Sequence, residues 1–519
     1  MKRTKLMAIL SLVILAAALG APTARAQQGD SPAPAATATP VPLSARAPSP
    51  VGSQQSATPA GGGVDVIQAS IQVQGQYTGS VPDKSVNAGA GSIPLSLADA
   101  VRRGLQFNLG SIAAGLSLRQ ARAQKEAAFS ELLPKLGASV SETGAKVDLQ
   151  AEGLSAATLG SFGALGAAFP TVVGPFHYYT LQANAQANLF NLTALYNYRA
   201  ASAGADASQL DSQNARELVV LAVSGSYLQV LASAAGVDAQ TDQVHYAQAS
   251  YDRAKAQFDA GNKAQIDANR SMVQLQTEQQ RLRSQRADLQ KQKYALARLL
   301  GLPLTADLAL TSQLNGGTEM PMEADTAVQA AFAHRQDLQA ATAQVRVAEA
   351  AYKAAVSERL PTASVQGSYG LQGINPDAGR GVFNATASVN VPIFEGGRLK
   401  ADREQAGAAL DQHRAELEDQ RGQVELEVRD AYTDLQVATE QVQVAASNHK
   451  LALETLQQSQ DRYTAGAADV VEVVQSQQTL GAADRDYVSA LYARNLARIS
   501  LARAMGEAEN DISTLLKDK

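Results

Sequence analysis

The chain contains no cysteine and no tryptophan in 519 residues, and aromatic residues make up only 5% of it. Without cysteine there is neither a disulfide framework nor a lipid-modified N-terminal cysteine. So few aromatic rings exclude a thick aromatic core, and the abundant Ala and Gln suit narrow helix–helix contacts instead. Proline is missing from Phe176 to Leu302 and again from Ile393 to Lys519, so both stretches lack the residue that breaks a helix interior. Beyond the N-terminal segment no run of 18 apolar residues occurs; any membrane-spanning part is therefore expected to be β-structure. The five histidines (His177, His245, His334, His413, His449) show no metal-ligand spacing. No zinc motif, phosphate loop or nucleophile–base pair accompanies them. The sequence thus offers no catalytic residue, no metal site and no cofactor.

What is present begins with Lys2, Arg3 and Lys5, an apolar run from Leu6 to Leu19, and Ala24-Arg25-Ala26. This is the pattern of a cleaved secretory signal over 1–26, its apolar run being too short to span a bilayer. Cleavage there removes four basic residues and takes the formal charge from −5 to −9. A mildly acidic exported chain has no electrostatic case for binding nucleic acid. Residues 27–92 are rich in Pro, Ala, Ser, Thr and Gly, a composition that cannot offset its own chain entropy. It reads as a disordered periplasmic extension, in which Ile67 to Tyr77 has some strand character. Order is expected from Pro94, with Ser96 and Asp99 forming a capping box before a helix from Leu97 to Leu132.

The rest reads the same way twice. Leu133-Pro134 returns as Leu360-Pro361 after 227 residues, and Ala100-Val101 returns as Ala327-Val328 at the same offset. Beyond the strands the offset becomes 205: Tyr227 meets Tyr432, Phe258-Asp-Ala-Gly261 meets Tyr463-Thr-Ala-Gly466, and Leu296-Ala-Arg meets Leu501-Ala-Arg. Residues 93–302 and 326–519 are expected to be two tandem repeats joined by a linker over 303–325. Each would consist of a helix, a β-hairpin and a long helical hairpin. In Tyr179 to Leu189 the odd positions are apolar, with Gln182, Asn184, Gln186 and Asn188 between them, and Ala363 to Leu371 and Phe383 to Ile393 alternate likewise. Period two with polar partners means a sheet with one apolar and one wet face. A soluble sandwich would also alternate in this way. The stretches 192–260 and 399–463, however, predict helices of about 100 Å each, which no ordinary sandwich needs. Leu275, Leu282, Leu289 and Leu296 recur every seven residues, as do Leu410, Leu417 and Val424; these are coiled-coil seams.

Four membrane-length strands are too few to close a barrel in lipid, where open edges do not occur. Strands must therefore be pooled between copies, eight from two or twelve from three. The Gln, Asn, Ser and Thr faces suit a water-filled interior. The apolar faces suit lipid, with Tyr178, Tyr179, Phe190, Phe383 and Phe394 as an aromatic belt. Loops 151–177 and 373–380 would face outside. A non-channel coiled-coil structural protein of the cell envelope, with soluble hairpins, is the alternative reading.

The duplicated plan, the run Val391-Pro392-Ile393-Phe394-Glu395-Gly396-Gly397-Arg398 and the paired helical turns resemble the TolC family of outer-membrane efflux and secretion channels. The first copy departs from that run, with Asn188-Leu-Phe-Asn-Leu-Thr193 in its place. The resemblance implies an α+β membrane protein: a homotrimer whose twelve-stranded barrel lies in outer-membrane lipid and continues as an α-helical periplasmic tunnel. It also implies partners, namely a periplasmic adaptor (membrane fusion) protein and an inner-membrane pump of RND or ABC type. Phe258, Gly261 and Gly466 would then belong to tip turns that dock the adaptor. Asp267 resembles the acidic gate partner, Tyr463 the tyrosine that hydrogen-bonds it, and Glu472 a carboxylate facing the entrance. Two departures weaken that lock: Ala468 stands where some members carry arginine, and Gln475 where a second carboxylate would stand. A solvated first helical turn accounts equally for Asp267 and Glu472.

Overall fold

The computed structural model describes residues 76–85, 92–151, 172–314 and 322–509. The signal segment 1–26, most of the 27–92 extension, most of the first hairpin loop, the middle of the inter-repeat linker and residues 510–519 lie outside the described residues. The first copy comprises β1 (Ile93–Leu95), α1 (Leu97–Phe107), α2 (Leu109–Ser130), β2 (Lys135–Asp148), β3 (Val172–Phe190), α3 (Leu192–Asp259) and α4 (Gln265–Leu299). After β4 (Leu308–Leu310), the second copy runs through α5 (Ala324–His334), α6 (Gln336–Ser357), β5 (Thr362–Gly373), β6 (Arg380–Asn390), α7 (Arg398–Thr464) and α8 (Val470–Ala504).

The two proline-free stretches form the long helices, α3 with 68 residues and α7 with 67. Each is about 100 Å long at ~1.5 Å per residue. Their return helices α4 and α8, of 35 residues each, pack back along the tip-ward half. Leu275, Leu282 and Leu296 are buried with Leu289 partly so, and Leu410 and Val424 are buried in α7. Each such side chain contributes about 1.5–3 kcal/mol on burial, which is what holds helices too long for propensity alone to fix. One stretch of α3 is apolar enough by composition to cross a membrane, but half of it is buried inside the protein. Val219, Val220, Val223, Tyr227 and Leu228 there form a core with Leu97, Val101, Leu296 and Leu300.

The second copy builds its core from equivalent positions: Val328, Val424, Val428, Leu435 and Leu501. The repeat is thus a repeat of packing, not only of letters.

The structure revises four of the sequence expectations. The expected helix from Leu97 to Leu132 is two helices, broken at Asn108, whose backbone is extended. The Asn108 side chain accepts from Gly110 N and donates to the Tyr77 carbonyl, both at 2.8 Å. A buried asparagine satisfied in this way needs a break in the helix, because its side chain replaces a backbone partner. Order also begins before Pro94. Residues 76–85 lie across the break, with Val81 N donating to Phe107 O, Asp83 N to Gly301 O (both 2.9 Å) and Arg103 reaching Asp83 at 2.6 Å. Gln76–Thr78 is a 3₁₀ turn and not part of a strand. The expected linker 303–325 contains β4, which pairs in parallel with β1, and its end opens α5. Finally, residues 172–177, expected in the first outer loop, begin β3.

A break recurs at Arg335, 227 residues after Asn108, and it is built differently. Arg335 is 2% exposed and reaches Asp337 at 2.5 Å and Glu427 at 2.6 Å, while Arg503 reaches Glu427 at 2.9 Å. Gly301 and Gly506, related by the 205 offset, both have positive φ and pack on the two breaks; a Cβ on either would meet backbone at 3.0 Å or less. The first copy thus centres its break on a buried neutral amide, the second on a buried arginine within a cluster of four charges whose other three members are half-buried.

Burial pushes the Asp337 carboxyl up, but hydrogen bonding and charge from Arg335 outweigh it and hold it below the usual range. At Glu427 burial is likewise outweighed, by the charges of Arg503 and Arg335. Carboxyls depressed in the folded state stabilise it above their ordinary pKa, and that contribution is lost as pH falls through the depressed folded value. Arg335→Met takes from Asp337 its one ion-pair partner among the described residues and leaves half-buried Glu427 with Arg503 alone, and should cost about 3 kcal/mol. Denaturant titration in detergent at neutral pH measures this, and the gap to wild type should narrow below about pH 4.

Glu217 behaves oppositely. Burial raises its pKa, the Glu509 charge adds to that, and one carboxyl oxygen has no hydrogen-bond partner. A carboxyl raised in the folded state disfavours folding as pH rises past its ordinary value. Glu217→Gln should therefore raise the melting temperature at neutral pH and change it little near pH 4.

Candidate functional site

Three regions bear on function: the sheet, the turn by which the chain leaves it, and the tip of the helical hairpins. The sheet order is β2-β3-β5-β6, antiparallel throughout. Residues directly paired in a ladder share a face, so the register assigns faces without ambiguity. Leu136, Ala138 and Val140 align with Ala185, Ala183 and Leu181, and these with Gly367, Tyr369 and Leu371. Phe383 and Ala385 extend the same face on β6. The other face carries Ser139, Gln182, Asn184, Gln186, Gln366, Ser368, Asn384 and Thr386. The apolar face is uncovered in the single chain, Leu136 and Phe383 each being 81% exposed. One expected belt residue falls elsewhere: Tyr179 is on the apolar face, but Tyr178, paired with Thr143, is on the polar one. Among the described residues neither β2 nor β6 has a second strand neighbour.

The run from Val391 to Arg398 converts strand into helix. Pro392 has no N–H to donate and so ends the ladder. Gly396 and Gly397 take φ of 60° and 94°, which only glycine adopts readily. Arg398, the first residue of α7, contacts Glu395, Glu358 and Asp402 at 2.5, 2.9 and 2.7 Å. It thereby ties the new helix to the end of α6. Val391, Ile393 and Phe394 point away from the protomer, all exposed. In the first copy Asn191 does the corresponding work, its side chain capping α3 through Ala194 N at 2.9 Å.

At the tip, Gly261 (φ 75°) and Gly466 (φ 73°) each close a helix end. Asn262 N donates to Gln257 O and Ala467 N to Arg462 O, both at 2.9 Å, the six-to-one bond of a Schellman turn. Asp267 and Glu472 are equivalent by the 205 offset, each the third residue of its return helix. There both favour the positive helix end. Asp267 lies 3.9 Å from Arg270, and Glu472 lies 3.5 Å from Arg462.

Tyr463 is buried among Leu456, Val470 and Val473, whereas its counterpart Phe258 is exposed. The expected hydrogen bond from Tyr463 to Asp267 is not formed, and the buried hydroxyl has no partner. Burial and then the Asp267 charge raise the tyrosine's pKa, so the two groups interact electrostatically. The Lys263 ammonium lies 5.9 Å from the same ring.

Two features escaped the sequence reading. Arg462 as the partner of Glu472 had no signal except its place one residue before Tyr463. A hollow of about 550 Å³ lies between the first turns of α4 and α8, lined by Ile266, Arg270, Val273, Val470, Val471 and Val474. Its signal was available, since Ile266 and Val273 stand seven residues apart opposite a valine run.

The comparisons with known proteins fit this geometry. The family described as "Outer membrane efflux protein" matches residues 112–302 and again 327–507. The pyoverdine export outer membrane protein OpmQ of Pseudomonas putida is 26% identical over 312 residues, which are 58% of this chain and 64% of that protein. The chain thus spans less than two thirds of that relative's length. The Campylobacter jejuni CmeC outer membrane channel superposes with a TM-score of 0.69 at 18% identity, covering 79% of this chain and 86% of that one. The Vibrio cholerae outer membrane protein VceC does so at 0.66 and 20%, covering 79% and 96%. These two likenesses show a shared fold. With both of its copies matched, the chain belongs to the outer membrane efflux protein family.

Proposed function

We propose that three copies of this chain form an outer-membrane exit channel, serving a tripartite efflux pump or a one-step secretion system. Residues 1–26 would direct export, and the four-stranded sheets would close into a twelve-stranded barrel above a helical periplasmic tunnel.

One observation carries this reading: among the described residues, the sheet pairing and the long-helix packing that join the first copy to the second each have an unfilled counterpart. Within the chain β3 pairs with β5, and α3 packs on α6 and α8. By the repeat, β6 should pair with β2 of a neighbour, and α7 should pack on a neighbour's α2 and α4. The side chains agree. Val437, Val444 and Leu451 on α7 are 45%, 60% and 57% exposed at seven-residue spacing. Their counterparts 205 residues earlier include Ala232, 8% exposed, and Tyr246, packed on the tip core. A heterologous contact of this kind closes as a ring. Three copies give twelve strands and a water-filled lumen, whereas eight strands are filled by side chains.

The amide- and hydroxyl-bearing face would line that lumen, and the apolar face would meet lipid. A coiled-coil scaffold with soluble hairpins would have no use for an exposed leucine and aromatic face. The hollow between α4 and α8, with the turns at Phe258, Gly261 and Gly466, is the surface offered to a periplasmic adaptor and, through it, to an inner-membrane pump. Asp267, Tyr463 and Glu472 would bias the closed tip electrostatically.

Two outcomes test this. Val444→Lys alters a residue exposed in the single chain, so the protomer should fold; native mass spectrometry in detergent should show trimers lost to monomers. Undiminished trimer would contradict the proposed seam. In planar bilayers, Glu472→Gln should lower cation selectivity and Asp267→Ala should raise conductance. Tyr463→Phe should change conductance less than Asp267→Ala, because its hydroxyl has no hydrogen bond to lose. Identical conductance and selectivity in all four proteins would leave helix-end stabilisation as the role of both acids.

A further inference from the structure

One group on the polar face of the sheet has no part in closing it. Arg380 opens β6 and pairs with Gln372, which pairs with Thr180, which pairs with Ser141. All four therefore share the polar face. One two-residue step farther out on β3 stands Tyr178, and one step beyond that Phe176. Their rings stack, with centroids 6.4 Å apart and planes 24° from parallel. β3 and β6 are two strands apart, about 10 Å, a gap that arginine and tyrosine side chains span from its two sides. Below this level the face is neutral down to Lys135 at the opposite end, which pairs with Glu131 at 2.8 Å. Among the described residues no carboxylate, Asp377 in the adjoining loop included, forms an ion pair with Arg380.

A guanidinium without an ion-pair partner among the described residues, on the same face as a stacked aromatic pair two strands away and over a neutral wall, has a chemical complement. The planar guanidinium fork takes a carboxylate through two parallel hydrogen bonds. The aromatic faces take another ring by offset stacking. We propose that Arg380, Tyr178 and Phe176 form a subsite for aromatic carboxylates at the outer end of the lumen, one per chain. The inference rests on the channel reading above. In a ring of twelve strands tilted by ~40°, the backbone lies about 12 Å from the axis. Three such guanidinium groups then lie within roughly one Debye length (~8–10 Å) of the axis at ordinary ionic strength. An anion in the lumen meets their attraction before it leaves, and the amide wall beneath offers no competing fixed charge.

Full-length channels in planar bilayers test this with naphthoate added on the hairpin-loop side. Naphthoate should block the wild-type current in a concentration-dependent way, and cyclohexanecarboxylate should block more weakly. Arg380→Gln should raise the half-blocking concentration about tenfold, the size of one lost charge-assisted interaction. Arg380→Lys, which keeps charge but not the fork, should fall between. Tyr178→Leu should weaken block by naphthoate and leave that by cyclohexanecarboxylate unchanged. A conducting wild-type channel that naphthoate does not block, or block unaltered by Arg380→Gln, would overturn the subsite. Equal block by the two acids would overturn its assignment to aromatic ligands. Failure of the chain to conduct at all would count against the channel itself, a separate result.

Discussion

Backbone N–H and C=O groups that cannot reach water must bond to one another, and a four-stranded sheet leaves two rows of them unbonded, along β2 and β6. In hydrocarbon each unbonded group costs several kcal/mol, so this sheet is untenable alone in a membrane. The sheet is also antiparallel throughout, so in the proposed ring β6 of one chain would run opposite to β2 of the next and would continue the ladder. The helices obey the same rule through side chains. α7 carries an uncovered apolar stripe where α3 is covered by its own chain. One constraint, an interface made once within the chain and left open once at its edge, organises both halves of the molecule.

The two copies have diverged most where they are braced. Each begins with a short helix pair broken at the same repeat position, and each break is pressed by a positive-φ glycine from the end of the return helix. At Asn108 the brace is a neutral amide held by the N-terminal segment. At Arg335 it is a charge cluster drawing on α6, α7 and α8. Buried charges confer little net stability but much geometric definition when every member is paired. The second copy's break therefore rests on two carboxylates, Asp337 and Glu427, and the first on one, Asp83. At the tip the pattern changes again, since Asp267 and Glu472 are equivalent by repeat but have different basic partners.

Much of this was legible in the sequence. Proline-free stretches gave the long helices, and seven-residue leucines gave the buried seams. Alternation set the two faces of the sheet, and the Pro-Gly-Gly-Arg run marked the exit from it. What escaped detection was short or non-local. β4 has three residues and no alternation to read, and its pairing with β1 is fixed by Tyr227 donating to the Leu95 carbonyl at 2.9 Å. The break at Asn108 sits in an otherwise helical pattern and depends on a segment whose composition argued for disorder. Tyr178 and Tyr179 are adjacent, so only the register separates the polar face from the apolar one. At the tip the sequence supplied the acid and the tyrosine, while the burial of Tyr463 in the tip core, where its hydroxyl meets no partner, is a non-local outcome.

The claim most exposed to direct test is that β6 of one chain pairs with β2 of the next and that the ring closes at three. The chain has no cysteine of its own, so introduced thiols report without background. A panel of double variants, with one cysteine at 382–388 on β6 and one at 136–142 on β2, can be oxidised in isolated outer membranes and resolved by denaturing electrophoresis. The account predicts that same-face pairs in register yield a covalent trimer and nothing larger. Covalent dimer as the end point, or no cross-link at any register, would contradict it.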